Sequence, residues 1–272
     1  MARLHGIWGY PYIDLEPFLA PVPFEEIHEE ICLGLTQVDV SCTGGSLKWM
    51  QVVAPAVADD PYADYMLTIS KFDRAQFEAF VSLADDPSLF DPDRRAEYSF
   101  GDETDHPLNE RQILYMKYRY GVYFPWKVVY HFVENQRWED KNQGAGKSIP
   151  VEAERIFPKT VALLRSLPFV EIGRCLIFGL EANDHAPLHQ DTAPGSIEQV
   201  EHCMTICPAG NKRFYLTDDD QEERVDVASR IYWFNDMDWH GVEPDPYFRY
   251  SIRIDGVFEP EFVARLRRKL CS

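Results

Sequence analysis

Three residues could do chemistry together. His189 and Asp191 stand two apart in Pro187-Leu188-His189-Gln190-Asp191-Thr192, and His240 closes the run Tyr232-Trp233-Phe234-Asn235-Asp236-Met237-Asp238-Trp239-His240. Two imidazoles and one carboxylate are the ligand set of a facial triad, which holds Fe(II) and leaves positions open for an organic acid and O2. On a strand, residues two apart share a face, so His189 and Asp191 can reach one ion while Leu188 and Gln190 point away. His240 must then come from a strand across the fold. Beyond it, Arg249-Tyr250-Ser251 sets a cation and a hydroxyl on one face of an apparent strand. A His-x-Asp pair alone is common by chance, and single histidines usually sit on the surface or in satisfied core positions. The pair followed by a histidine, then by Arg-x-Ser before Ile252-Arg253-Ile254-Asp255, is a more specific pattern. A metal with open positions beside an anion-binding pair is what an oxygenase consuming 2-oxoglutarate needs.

These side chains need a rigid frame. From residue 174 onward the sequence reads as eight short strands, at 175–180, 188–191, 203–206, 213–216, 224–227, 230–234, 240–243 and 249–257, separated by turns such as Asn183-Asp184 and Pro208-Ala209-Gly210-Asn211. That pattern predicts a mainly β protein with flanking helices: a double-stranded β-helix (jelly-roll, cupin-like) core carrying an α-rich N-terminal extension. The expected division is an extension over 1–150 that shapes the substrate site, a catalytic core over 151–258 and a C-terminal helix over 259–272. Asp73-Arg74-Ala75-Gln76 reads as a capping box opening a helix. Pro158 opens another with an apolar stripe at Val161, Leu164 and Leu167. The basic residues Arg265, Arg267, Arg268 and Lys269 suit the end of the terminal helix. Asp59-Asp60-Pro61 reads as turn chemistry. Residues 109–138 are unusually aromatic; most of these rings are expected in the core, with Trp126, Tyr123 or Tyr130 reaching the substrate cavity. The glycines of 142–147 lack the remaining spacing of a phosphate loop.

Composition narrows the possibilities. The 272 residues are 45% hydrophobic, enough for a packed core, and carry 27 basic against 45 acidic groups for a net charge of −18. Such a surface repels phosphate backbones, which argues against nucleic acid as a partner. Cys32, Cys42, Cys175, Cys203, Cys207 and Cys271 include no Cys-x-x-Cys pair and read as small hydrophobes in a reducing compartment. No run of about 18 apolar residues and no leader-like stretch is present, so a cytoplasmic protein without a membrane partner is expected. Oligomeric state is not legible.

The stretch from Phe157 to Phe258 resembles the aspartyl/asparaginyl β-hydroxylase branch of the Fe(II)/2-oxoglutarate oxygenases. The resemblance runs in order through Phe157-Pro158-Lys159, Leu167-Pro168, Ile172-Gly173-Arg174-Cys175-Leu176-Ile177-Phe178, His189-Gln190-Asp191, Glu201-His202-Cys203, Tyr232-Trp233-Phe234-Asn235, His240 and Arg249-Tyr250-Ser251-Ile252-Arg253-Ile254-Asp255. It implies iron ligands His189, Asp191 and His240, with Arg249 taking the distal carboxylate of 2-oxoglutarate and Ser251 helping. It also implies that His202 lines the co-substrate site. An arginine common in the family two residues before His202 is Val200 here, and Lys212, Arg213 or Arg253 stand as substitutes; Arg253 is the second choice for the carboxylate. The implied reaction is hydroxylation of a C–H bond of an amino acid, peptide side chain or natural product by O2, releasing succinate and CO2. Retention of Asp191 leaves no vacant position for halide and favours hydroxylation over halogenation. Two other readings stay open: a metal-dependent oxygenase that does not use 2-oxoglutarate, and a cupin-like binding protein with a degenerate site.

Overall fold

In a computed structural model, which describes residues 4–41, 65–101, 105–133, 138–192 and 200–271, the chain from Phe169 onward winds back and forth between two antiparallel sheets. The elements are β1 (Tyr12–Asp14), α1 (Phe24–Gly34), α2 (Tyr65–Ser70), α3 (Arg74–Val81), α4 (Glu110–Tyr120), β2 (Val128–Val133), α5 (Val151–Ile156), α6 (Pro158–Ser166), β3 (Phe169–Leu180), β4 (Ala186–His189), β5 (His202–Ile206), β6 (Phe214–Thr217), β7 (Arg224–Asp226), β8 (Ile231–Phe234), β9 (Trp239–Val242), β10 (Arg249–Phe258) and α7 (Pro260–Leu270). The larger sheet runs β1-β8-β5-β10-β3-β2 and the smaller β4-β9-β6-β7. Strands β3 to β10 thus alternate between the sheets, with only β6 and β7 consecutive in one. This is the winding of a double-stranded β-helix, the fold expected from the turn spacing. Each expected strand is present, with ends moved by a few residues.

The N-terminal region supplies both edges of the larger sheet: β1 pairs with β8 and β2 with β3. Strand β10 lies inside that sheet, between β5 and β3. Strand alternation sends Arg249, Ser251, Arg253 and Asp255 to one face and Tyr250, Ile252 and Ile254 to the other. The second face lies under helices. His28 on α1 bonds the Tyr250 hydroxyl at 3.0 Å, and α1 packs on α6. Gly34 makes that packing possible, because a Cβ there would fall 2.1 Å from the ring of the fully buried Phe157. Tyr130 and Phe132 close on the same ring.

Helix ends are satisfied by specific partners. Asp73 and Gln76 form the expected capping box on α3, and Asn109 and Gln112 form another on α4, which Gly121 ends at φ 67°. At α6 the cap comes from another helix. The Glu30 carboxylate accepts the Lys159 N–H at 2.8 Å, the Thr160 N–H at 2.7 Å and the Thr160 hydroxyl at 2.7 Å. Glu30→Ala leaves these donors without a partner, and the expected cost is about 1–2 kcal/mol of stability. A lowered denaturant midpoint at unchanged m-value checks it.

Cys175, Cys203 and Cys207 are buried free thiols, as a reading of small hydrophobes requires, whereas Cys32 on α1 and Cys271 at the end of α7 are exposed and depart from it. Cys42 and the Asp59-Asp60-Pro61 turn lie outside the described residues. Among the described residues no helix is long and apolar enough to cross a membrane.

Candidate metal centre

His189 ends β4 and His240 lies on β9, and the two stand directly opposite in the antiparallel register. Opposed residues of a strand pair present side chains on one face, and the imidazole centroids are 4.4 Å apart. Asp191 is not on the strand, contrary to the sequence reading of one strand running through 191. The N–H groups of Asp191 and Thr192 leave the ladder and bond the Asp236 carbonyl at 3.1 and 3.2 Å. That turn, rather than strand alternation, brings the carboxylate inward. Asp191 Oδ1 lies 3.4 Å from His189 Nε2 and 3.7 Å from His240 Nε2. One ligand atom from each residue lies within 4.8 Å of the others.

The donor set fits a divalent transition metal. His189 Nδ1 lies 2.7 Å from the Pro187 carbonyl and His240 Nδ1 2.9 Å from the Asp238 carbonyl. Each carbonyl is an acceptor two residues upstream, so Nδ1 carries the proton and the bare Nε2 faces Asp191. Burial lowers the pKa of His240, keeping the imidazole neutral as a ligand must be. Burial pushes the Asp191 carboxyl up, but the Arg253 guanidinium outweighs it and holds it well below the usual carboxylate range.

Behind the triad runs a buried chain of charges. Arg253 on β10 donates from Nη1 to Asp191 Oδ2 and from Nε to Asp255 Oδ1 at 3.1 Å. Arg174 on β3 bonds Asp255 Oδ2 at 2.8 Å. Lys141 reaches Asp236 at 3.2 Å and also Glu201. Arg253 thereby occupies one oxygen of Asp191 and leaves the other toward the histidines.

A cavity opens beside the triad, lined also by Trp126, Phe178, Thr205, Lys212, Phe214, Ser251 and Arg253. Ser251 is where the Arg-x-Ser spacing placed it, but its cationic partner is Lys212. Lys212 Nζ donates to Ser251 Oγ at 2.8 Å and sits 5.5 and 5.2 Å from the ring centroids of Trp126 and Phe214. Burial pushes the Lys212 ammonium down to about 8.

Two of the residues expected at this cavity are elsewhere. The Arg249 guanidinium donates to the carbonyls of Asp184, Asp245 (2.8 Å) and Tyr247 (3.3 Å) and is not in the lining. His202 sits near the far end of β10. Its Nδ1 accepts the Phe258 N–H at 3.0 Å and its ring stacks on Phe258 at 4.7 Å. Of the three rings expected at the cavity, Trp126 lines it. Tyr130 packs in the core, and the Tyr123 hydroxyl bonds Asp184 at 3.0 Å while its ring stacks on His185. Arg213 pairs with Glu243 on the surface.

Fold and site together define a jelly-roll protein with a candidate three-residue metal centre. No family model matches the chain, and no curated protein matches it. Among solved structures it is similar to an oxidoreductase of the 2OG-Fe(II) oxygenase family from Burkholderia pseudomallei, at 14% identity over 47% of this chain and 66% of that one, with a TM-score of 0.31. It is also similar to a Pseudomonas putida prolyl-4-hydroxylase, at 13% identity over 36% of this chain and 59% of that one, TM-score 0.25. A third is a Trichoplax adhaerens prolyl hydroxylase in complex with a hypoxia inducible factor peptide, at 10% identity over 49% and 74%, TM-score 0.27. The matched part of the chain spans less than two thirds of the length of the first two.

Proposed function

We propose that this protein is an Fe(II)/2-oxoglutarate-dependent dioxygenase. It would hydroxylate a C–H bond of an amino acid, a peptide side chain or a natural product, with O2 and 2-oxoglutarate consumed and succinate and CO2 released. The observation that carries the reading is that the buried His189, Asp191 and His240 cluster shares one cavity with the Lys212–Ser251 pair. The run of sequence correspondences from Phe157 to Phe258 favours the aspartyl/asparaginyl β-hydroxylase-like branch.

His189, Asp191 and His240 would hold the iron, which when bound supplies the redox chemistry that activates O2. Arg253 keeps Asp191 ionised and fixes which oxygen faces the ion. Lys212, with the Ser251 hydroxyl, would take the distal carboxylate, because a buried anion needs a paired cation. Trp126 and Phe214 flank the ammonium and limit its movement. Arg249, turned toward backbone carbonyls, is the next cation for the co-substrate.

Calorimetry tests the reading. The Fe(II)-loaded protein, kept anaerobic, should bind 2-oxoglutarate, and the metal-free protein should bind it weakly. Admitting air should then produce succinate. If the metal binds but 2-oxoglutarate does not, the protein is another kind of metal-dependent oxygenase. If no metal binds, it is a binding protein.

The Lys212 ammonium sets a pH dependence. Its surroundings include Cys207, Asp191, Arg253 and Arg249, and burial dominates their effects. With half the lysine neutral near pH 8, affinity for 2-oxoglutarate should be nearly flat below pH 7 and fall about fivefold between pH 8 and 9. Calorimetric titrations across that range check it. In the absence of ligand the sign for stability is opposite. The folded pKa lies below the ordinary 10.5, so the unfolded chain holds more protons between the two values. The group's contribution to stability therefore rises with pH through that window.

A further inference from the structure

We propose that the N-terminal arm, residues 4–10, positions His240 through the carboxylate of Asp238. The inference rests on the metal reading above and adds to it a part of the chain that touches neither metal nor cavity. Asp238 is buried, and its two oxygens are taken by consecutive backbone donors: Oδ1 by the His5 N–H at 2.6 Å and Oδ2 by the Gly6 N–H at 2.8 Å. Two successive N–H groups converging on one carboxylate form an anion nest. Gly6 is required for it. Its φ is +57°, and an added Cβ would lie 2.3 Å from the Tyr10 carbonyl oxygen.

The nest is anchored from both sides. The Gly6 carbonyl accepts from Asn235 Nδ2 at 3.1 Å, and Asn235 Oδ1 accepts the Met237 N–H at 3.1 Å. Ile7 and Tyr10 exchange backbone hydrogen bonds at 2.7 and 2.9 Å, closing a hairpin turn. Trp8 meets Trp233 edge-on at 5.6 Å, and the Tyr10 hydroxyl donates to the Leu270 carbonyl at 2.7 Å. The arm is therefore fastened to β8 and to the end of α7 while it grips the loop 235–238.

That loop governs the metal site. The Asp238 carbonyl accepts from His240 Nδ1 at 2.9 Å, the Asp236 carbonyl takes the N–H groups of Asp191 and Thr192, and the Met237 carbonyl takes the Gln190 side-chain amide. The line of contact runs from the arm's N–H groups to the Asp238 carboxylate, along that residue to its carbonyl, and on to the imidazole. Asp238 is thus a positioning residue, and the arm is its support.

Co(II) binding by the full-length protein tests this, read by calorimetry and by the visible absorption of the bound ion. Asp238→Asn keeps the size of the side chain but offers one acceptor in place of two. Gly6→Ala forces the arm open from a position far from the metal loop in sequence. Each should weaken Co(II) binding by about tenfold or more, the scale of losing a hydrogen-bonded support behind a ligand, and should alter the Co(II) spectrum. Because both substitutions cut the same link, the double variant should match the weaker single variant within about twofold. Should Asp238→Asn not fold, Gly6→Ala alone decides by affinity and spectrum. Wild-type affinity with an unchanged spectrum in the folded variants overturns the inference, and so does an additive double variant. If the unaltered protein binds no Co(II), or binds it equally well as His189→Ala, the metal reading fails and takes this inference with it.

Discussion

His189→Ala is expected to abolish binding of Fe(II), and of Mn(II) or Co(II) in its place, while the circular dichroism of the protein stays that of a folded jelly roll. His189 would supply one of the three candidate protein ligands found among the described residues. Its loss should exceed the roughly 10–100-fold penalty for losing a hydrogen-bonded partner of a ligand. The side chain sits at the end of a short strand and faces a cavity, so its truncation removes little core contact. Asp191→Ala should abolish binding as well, but at a cost in stability. Arg253 is buried, and Asp191 is one of three carboxylates that surround it. Removing one member of a buried ion pair costs about 3–5 kcal/mol when nothing else compensates; Asp236 and Asp255 remain here, so a smaller loss is expected. Metal titration and thermal unfolding of the two variants separate the effects. Metal affinity at the unaltered level in both would end the triad assignment.

Lys212→Met should raise the dissociation constant for 2-oxoglutarate about thirtyfold or more while leaving metal affinity nearly unchanged. Methionine keeps much of the length and packing between Trp126 and Phe214 and removes the charge. Truncating one partner of a buried, hydrogen-bonded charge pair costs about 2–5 kcal/mol, and each 1.4 kcal/mol is about tenfold in binding. Arg249→Ala should do less, since its guanidinium already donates to three backbone carbonyls. Reversal of this order would mean that Arg249 leaves those carbonyls and swings into the cavity when the anion arrives. If neither substitution matters, 2-oxoglutarate is not the ligand.

Some of this was legible in the residues and some was not. The strands of the roll announce themselves because each is short, apolar and bounded by turn residues, and the ligand types and their order define the metal centre. Periodicity failed at Asp191, where a backbone carbonyl from a loop 45 residues further on, at Asp236, draws the chain out of the ladder. It failed again at Arg249. Spacing along β10 correctly puts that residue on the inner face, but spacing carries no information about the carbonyls of Asp184, Asp245 and Tyr247 that converge on its guanidinium. Lys212 and Trp126 meet only through the tertiary fold, one on a turn before β6 and the other ahead of β2. Lys212 could be named as a substitute cation but not chosen. The helices α1, α2, α4 and α5 and the strands β1 and β2 lie outside the elements that the sequence pattern marks. β1 is only three residues long and β2 lies within an aromatic stretch without clear alternation, whereas α4 does carry readable signals, the Asn109 and Gln112 capping box and Gly121 at its end, which the aromatic density of 109–138 obscures.

The placement of β4 has a consequence for how an ion held at the candidate centre would be released. Among the described residues β4 pairs only with β9, at the rim of the smaller sheet, and it carries His189 with Asp191 just past its end. His189, one of the three candidate ligands, therefore rides on a strand that can peel away on one side, whereas Asp191 is tied by its turn to Asp236 and by its carboxylate to Arg253 on β10, a strand held by neighbours on both sides. Rim strands open locally at a fraction of the free energy of global unfolding. An ion bridging β4 and β9 would act as a rivet across that seam. Metal release and fraying of the rim then become a single event, and the centre can come apart and reassemble while the larger sheet stays closed.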